Sequence, residues 1–170
     1  DRQAKTVTVK EMVSGRLYIE SYDRLLLSPG AAPIRPPLPG LDSPGVFALR
    51  NIPDMDRIVA ALEQHTPSHA TVVGGGFIGL EMVEALHQRG IRVTLLELAD
   101  QVMAPVDKEM ANLVHQTLVQ HGVDLRLNTG LNSVAPCPVS TPEPDATADG
   151  QIAPAVDTLQ LSLSNGSTLT

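Results

Sequence analysis

A Gly-x-Gly-x-x-Gly pattern at residues 74–79 constrains this chain more than any other feature. It follows a short apolar segment, residues 70–73, and leads into apolar residues at helical spacing. In such a strand–turn–helix unit the first glycine makes the tight turn, the second lets the backbone approach a pyrophosphate, and the third lets the helix pack closely. The anion lies on unpaired N–H groups at the helix N-terminus. The pattern therefore predicts a dinucleotide site built on Gly74, Gly76 and Gly79.

The residues that follow complete a strand–helix–strand unit. The helical pattern ends at Gly90, and residues 91–97 form an apolar segment that ends in Glu97. In this fold an acidic residue about 20 positions beyond the glycines binds the adenosine ribose, which is the role we predict for Glu97. Gly75 fills the free position of the pattern, so we expect it to tolerate alanine. The alternative interpretation, a glycine-rich turn without a ligand, leaves the acid at the strand end unexplained.

Composition excludes several classes of function. The formal charge is -7, and only two tyrosines and two phenylalanines are present, which argues against a nucleic-acid surface. No apolar stretch approaches the ~20 residues that cross a bilayer, and the polar first residues do not resemble a signal peptide. We therefore expect a cytoplasmic protein with no membrane contact. The single cysteine, Cys137, cannot form an internal disulfide, which fits a reducing compartment.

The first fifty residues predict strands and a connector. Apolar and polar residues nearly alternate over residues 6–22 around Ser14-Gly15, which predicts a β-hairpin. Leu25, Leu26 and Leu27 predict a short buried strand. Five prolines within residues 31–45 predict an extended connector without regular structure.

Helices and strands alternate in the remainder of the chain. We predict a helix capped by Asn51, a second helix capped by Asp107, a strand at residues 123–127 and another at residues 158–163. A mobile loop is predicted over residues 135–154, and Asn165-Gly166 predicts a hairpin turn. The apolar faces of the two capped helices consist of Met55, Ile58, Val59 and Leu62, and of Met110, Leu113, Val114 and Leu118. The alternation predicts an α/β fold with a Rossmann-like, doubly wound parallel sheet and an antiparallel hairpin or meander.

Three segments carry a resemblance to a known family. They are residues 22–33 (YDRLLLSPGAAP), residues 38–54 with LPGL and PGVFALRNIPD, and residues 74–81 (GGGFIGLE) followed by Glu97 and APVD at residues 104–107. Together they resemble the FAD-dependent pyridine nucleotide-disulfide oxidoreductases, most closely the branch of coenzyme A-disulfide reductases, NADH-dependent persulfide reductases and NADH oxidases. The match covers most of the chain.

The resemblance implies a central fragment of a larger flavoprotein. Residues 1–50 are similar to the β-rich tail of the FAD-binding domain and its connector, and residues 51–170 to an NADH-binding domain without its closing strand. The family's FAD fingerprint, redox-active cysteine and C-terminal dimerisation domain have no counterpart here. By this resemblance the cofactors are NADH in this domain and FAD in a homodimeric parent, and the chain alone is expected to be inactive.

The resemblance also assigns roles within the glycine segment. Phe77 is similar to an aromatic residue that covers the flavin, with helix-to-sheet packing as the alternative. Glu81, which we expect in the first helical turn, is similar to a carboxylate that reaches the nicotinamide carboxamide. The alternative role for Glu81 is to stabilise the helix by complementing its dipole. The predicted cofactor-binding residues are Gly74, Gly75, Gly76, Phe77, Ile78, Gly79, Glu81 and Glu97.

No catalytic or metal-binding residue is predicted. Cys137 lies between two prolines in the predicted loop, with no second cysteine to form a redox pair. Pro67 separates His65 from His69, so the two do not share a helical face, and no ligand cluster completes a metal site.

The sequence supports one preferred function and leaves two alternatives open. The preferred hypothesis is an NADH-binding module that orients the nicotinamide for hydride transfer to FAD, with a disulfide, a persulfide or O₂ as final acceptor. A non-catalytic NAD(H)-sensing domain is the first alternative, against which residues 22–33 argue. In the second alternative the fingerprint binds FAD itself, although Gly74 then lies unusually far from the start of its domain.

Overall fold

The computed structural model describes residues 1–137 and 158–170. Residues 138–154 of the predicted loop therefore lie outside the described residues. The chain divides into two units, Asp1–Ala32 and Pro33–Thr170. The predicted division between residues 50 and 51 stays a prediction.

The first unit is built on the predicted hairpin. Strand β1 (Thr6–Lys10) pairs antiparallel with β2 (Leu17–Ser21), and Thr6 lies opposite Ser21. The turn between them contains Gly15 at φ +72, a left-handed conformation that glycine adopts without a steric penalty. The hairpin prediction is confirmed.

The predicted strand at Leu25, Leu26 and Leu27 is wrong. Their backbone has no regular structure, and the side chain of Leu26 is 89% exposed. A strand is stable only when its backbone groups pair with a neighbour. Within residues 1–137 and 158–170 no strand pairs with this segment, so its three leucines do not form a strand.

Helix α1 (Ile52–His65) follows the proline-rich connector at residues 31–45, with residues 46–51 between them. Asn51 accepts a hydrogen bond from the backbone N–H of Asp54, and the Asp54 side chain accepts one from the N–H of Asn51. This capping box satisfies N–H groups that a helix start leaves without an intrahelical partner. Both the predicted cap and the irregular connector are confirmed.

A parallel sheet forms the centre of the second unit. Its strands β3 (His69–Val73), β4 (Arg92–Leu96) and β5 (Asp124–Arg126) lie in the order β3-β4-β5. They are connected by α2 (Phe77–Gln88) and α3 (Lys108–Gln120). Central β4 is the most buried strand, with Leu95 and Leu96 fully inaccessible to solvent. The parallel sheet places the ends of β3 and β4, and hence the glycine loop and Glu97, at one edge.

The buried face of α3 differs from the prediction. Met110 and Leu113 are exposed, whereas Ala111 is fully buried and Val114 and Leu118 pack toward the core. The apolar stripe is therefore rotated on the helix from the predicted one, toward Ala111. Asp107 occupies the N-cap position, but its side chain makes no capping hydrogen bond.

The helices of the described residues are short. They contain 14, 12 and 13 residues, and none is long and apolar enough to cross a membrane.

An antiparallel sheet completes the second unit. Strands β6 (Leu131–Cys137), β7 (Thr158–Leu163) and β8 (Thr168–Leu169) lie in sequence order, and Asn165-Gly166 turns between the last two as predicted. The loop prediction is wrong at its start, because residues 135–137 belong to β6. Strand β6 lies at the edge of its sheet, where a proline such as Pro136 is tolerated. The predicted α/β fold with parallel and antiparallel strands is confirmed.

His69 gives the second unit an expected dependence on pH. Burial, and then the positive charge of Arg92, lower the pKa of His69 from its ordinary value of about 6.5. The folded chain thus favours the neutral ring, and the unfolded chain binds more protons near pH 6. We expect the free energy of unfolding to fall as the pH drops below about 6.5, and His69→Gln to reduce that fall. Urea unfolding of both proteins at pH 5 to 8 measures the difference; parallel pH profiles would contradict it.

Candidate functional site

The glycine loop joins β3 to α2 and leaves open space in front of the helix. Gly74 has φ +107 and donates its N–H to the carbonyl of Leu96 (2.8 Å), which turns the chain sharply at the end of β3. Gly76 is the N-cap of α2, and, apart from Gly76 and its two chain neighbours, no atom of residues 1–137 and 158–170 lies within 4 Å of the position that a Cβ would take there. With no side chain, Gly76 cannot supply a capping oxygen. The first N–H groups of α2 are thus available to an anion.

Gly79 is required by packing within the loop. A Cβ at this position would lie 1.9 Å from the carbonyl oxygen of Gly74. The close approach predicted for the third glycine therefore occurs, and it occurs against the backbone of the first glycine.

Glu97 directly follows β4 and binds the glycine loop. Its Oε2 accepts a hydrogen bond from the N–H of Gly75 (2.6 Å), and its Oε1 accepts one from the N–H of Ala99 (2.7 Å). A carboxylate offers about four lone-pair positions. Two of them hold the backbone, and the others can accept hydrogen bonds from a ligand.

The surroundings of Gly75 argue against the tolerance of alanine that we predict for it. A Cβ there would lie 2.7 Å from Cγ1 of the fully buried Val102 and 3.2 Å from Oε2 of Glu97. The carbonyl of Gly75 also accepts a hydrogen bond from the N–H of Met103 (2.8 Å). Gly75 is therefore enclosed by a segment that the Gly-x-Gly-x-x-Gly pattern does not include.

We expect Gly75→Ala to lower the free energy of unfolding by about 1–3 kcal/mol, the usual cost of overpacking. Urea unfolding measures it, and Gly76→Ala is the matched control because its Cβ enters open space. Val102→Ala removes the methyl groups that clash with a Cβ at Gly75. The double variant is therefore expected to lose less unfolding free energy than the sum of the losses in the two single variants. A Gly75→Ala protein as stable as the wild type would restore the original prediction.

The predicted flavin and nicotinamide contacts lie on the exposed side of α2. Phe77 is 63% exposed, and Ile78 and Glu81 are also exposed. Glu81 is the fifth residue of α2, so it lies beyond the first turn in which we expected it. This position weakens the helix-dipole alternative for Glu81, since the dipole effect falls off within the first turn.

The structure contains an ion pair near the end of β4 that the sequence did not predict. Lys108, at the start of α3, binds Asp100. The hydrogen bond and charge of Lys108 lower the pKa of the Asp100 carboxyl, and Asp100 raises the pKa of the ammonium. An acidic residue on one side of a loop and a lysine on the other are common in protein sequences, so the sequence alone does not identify this ion pair.

Cys137 and the histidines form no centre in the described part of the chain. Cys137 is the last residue of β6 and is half-buried. Within residues 1–137 and 158–170, no group of three His, Cys, Asp or Glu side chains is arranged to hold a metal ion.

Comparison with known proteins identifies the family. The family model described as Pyridine nucleotide-disulphide oxidoreductase matches residues 1–160. The chain belongs to this family. It is 38% identical over 130 residues to a coenzyme A disulfide reductase of Staphylococcus haemolyticus, an alignment that covers 76% of this chain and 29% of the relative.

Solved structures of family members share the fold. The reduced CoADR-RHD of Bacillus anthracis superposes with a TM-score of 0.77 and 42% identity, covering 99% of this chain and 27% of that one. The water-forming NADH oxidase of Lactobacillus brevis, solved bound to NADH, superposes with a TM-score of 0.77 and 28% identity, covering 99% and 33%. The chain thus spans about a third or less of the length of these relatives.

Proposed function

We propose that this chain is the NADH-binding module of a flavoprotein oxidoreductase that reduces a disulfide, a persulfide or O₂. The observation that carries the proposal is the open space at Gly76, which lies beside the first N–H groups of α2 and one residue from the Gly75–Glu97 hydrogen bond. These groups fit a dinucleotide, because they combine donors for a pyrophosphate with acceptors for a ribose.

Five of the predicted residues have a role in this proposal. Gly74 turns the chain, Gly76 admits the pyrophosphate, and the N–H groups of α2 donate to it. Glu97 accepts hydrogen bonds from the adenosine ribose hydroxyls through the lone pairs that the backbone leaves unused. Phe77 and Glu81, exposed on α2, contact the flavin and the nicotinamide carboxamide.

The relatives support the wider part of the proposal. They include proteins named coenzyme A disulfide reductase and NADH oxidase, and one was solved with NADH. When bound, the nicotinamide supplies a hydride to FAD. We propose that most of the FAD site and the C-terminal dimerisation segment belong to parts of a homodimeric parent beyond these 170 residues.

We expect the 170-residue chain to bind NADH without oxidising it. The chain has one dinucleotide fingerprint and one cysteine, and that cysteine ends β6 rather than adjoining the glycine loop. Calorimetric titration with NADH measures binding. NADH absorbance, followed with added FAD and either a disulfide or O₂, measures turnover, which we expect to equal the free-flavin background.

A Cys137→Ser variant is the control for cysteine chemistry, and we expect its NADH affinity to equal that of the wild type. Absence of NADH binding by the folded chain would contradict the proposed module. Turnover above the free-flavin background, or purification with stoichiometric flavin, would instead contradict the inactivity of the isolated chain.

A further inference from the structure

His115 links α3 to the segment that encloses the glycine loop. Its Nε2 accepts a hydrogen bond from the backbone N–H of Val102 (3.1 Å), and the ring is half-buried. Val102 belongs to residues 98–107, here called the β4–α3 segment, which has no helix or strand. A partly buried N–H that loses its acceptor is costly. The imidazole therefore fixes the middle of this segment.

The β4–α3 segment in turn fixes Gly75. The side chain of Val102 is fully buried, and its Cγ1 lies 2.7 Å from the Cβ position of Gly75. The next residue, Met103, donates its N–H to the Gly75 carbonyl (2.8 Å) while holding a left-handed φ of +53. Residues other than glycine rarely adopt this conformation, so the segment needs fixed contacts on both sides to keep it.

The Met103 contact orients the peptide that joins Gly75 to Gly76. In a trans peptide the carbonyl and the following N–H point in opposite directions. Because the Gly75 carbonyl points at Met103, the N–H of Gly76 points away from the β4–α3 segment. The N–H of Gly75 is fixed separately by Glu97. Both peptide groups that precede α2 thus have set directions.

We propose that His115 is a positioning residue of the dinucleotide site. Its ring nitrogen holds Val102 and Met103, and these two residues orient the Gly75–Gly76 peptide for the pyrophosphate. The inference rests on the proposed NADH site, although His115 itself does not touch the nucleotide.

Three substitutions of His115 distinguish its role as a hydrogen-bond acceptor from its role in packing. His115→Gln keeps an acceptor oxygen at about the reach of Nε2, His115→Leu removes it, and His115→Asn keeps polarity with too short a side chain. By calorimetry we expect NADH to bind about tenfold more weakly to the Leu and Asn variants, the effect of one lost hydrogen bond, and normally to the Gln variant. His121→Leu is the matched control, since that ring bonds the carbonyl of Thr117 and contacts the ring of His87 at the end of α2 opposite the glycine loop.

Amide NMR spectra without nucleotide give a second readout. We expect the resonances of Gly75 and Met103 to move in His115→Leu and His115→Asn and to return in His115→Gln. Wild-type affinity in the Leu and Asn variants, or equal weakening in all three, would overturn the positioning role. Failure of the wild type to bind NADH would contradict the proposed function. The NMR spectra test the inference about His115 independently, because Gly75 and Met103 resonances that do not move in the Leu and Asn variants would overturn it.

Discussion

Gly76→Val is expected to abolish dinucleotide binding without unfolding the chain. Gly76 has φ -79 and ψ -175, an extended conformation that valine adopts readily, and its Cβ position is empty. The stability cost is therefore that of a poorer N-cap residue, below about 1 kcal/mol. The isopropyl group occupies the space into which the pyrophosphate must come. We expect NADH affinity to fall at least ~100-fold, or about 2.7 kcal/mol.

Calorimetry with NADH, together with urea unfolding, tests this expectation. Gln88→Val is the matched control, because it places the same side chain on the exposed far end of α2. Gly79→Ala serves as the opposite case: its Cβ meets the Gly74 carbonyl, so we expect lost stability and lost binding together. NADH binding retained by folded Gly76→Val would place the nucleotide elsewhere.

The sequence predicted those parts of the site that depend on local chemistry. The turn at Gly74, the start of α2 after Gly76 and the acid at the end of β4 are each set by residues adjacent in the chain. Periodicity and capping likewise located α1, because the Asn51–Asp54 box involves residues three positions apart. Local rules are sufficient where the partners are local.

Contacts between segments that are distant in the sequence were not predicted, because local rules do not pair such residues. Gly75 occupies a free position in the pattern, yet Val102 and Met103, which no local rule pairs with it, enclose it in the fold. The stripe on α3 was misplaced because the larger Met110 dominates a hydrophobicity pattern, whereas the fold buries the small Ala111 and leaves Met110 exposed. Such contacts depend on tertiary packing, which a single sequence does not encode in its spacing.

The nucleotide preference depends on the charges that follow β4. The Glu97 carboxylate repels a 2′-phosphate but accepts hydrogen bonds from a 2′-hydroxyl. The sequence places no Arg or Lys at residues 98–103, and the first cation after them, Lys108, is paired with Asp100. That pairing leaves little positive charge for the additional phosphate of NADPH, while it also offsets the negative charge that Asp100 contributes.

We therefore expect NADH to bind at least ~10-fold more tightly than NADPH, since a hydrogen bond to a charged group contributes about 1.5–3 kcal/mol. Glu97→Ala should reduce the preference chiefly by weakening NADH. Glu97→Gln should also reduce it, because the amide removes the charge that repels the 2′-phosphate, while its NH2 group leaves one of the Gly75 and Ala99 N–H groups without an acceptor. Calorimetric titration of each protein with both nucleotides separates the two effects.

A charge-neutral control distinguishes Glu97 from the neighbouring ion pair. Asp100→Asn with Lys108→Gln removes the pair without changing the net charge, and neither residue contacts the glycine loop through a described hydrogen bond. The preference for NADH should survive in this double variant. Asp100→Asn alone releases Lys108 and should strengthen NADPH. Equal affinities in the wild type, or a preference that Glu97→Ala and Glu97→Gln leave unchanged, would show that Glu97 holds only the backbone N–H groups of Gly75 and Ala99 and does not bind the ribose.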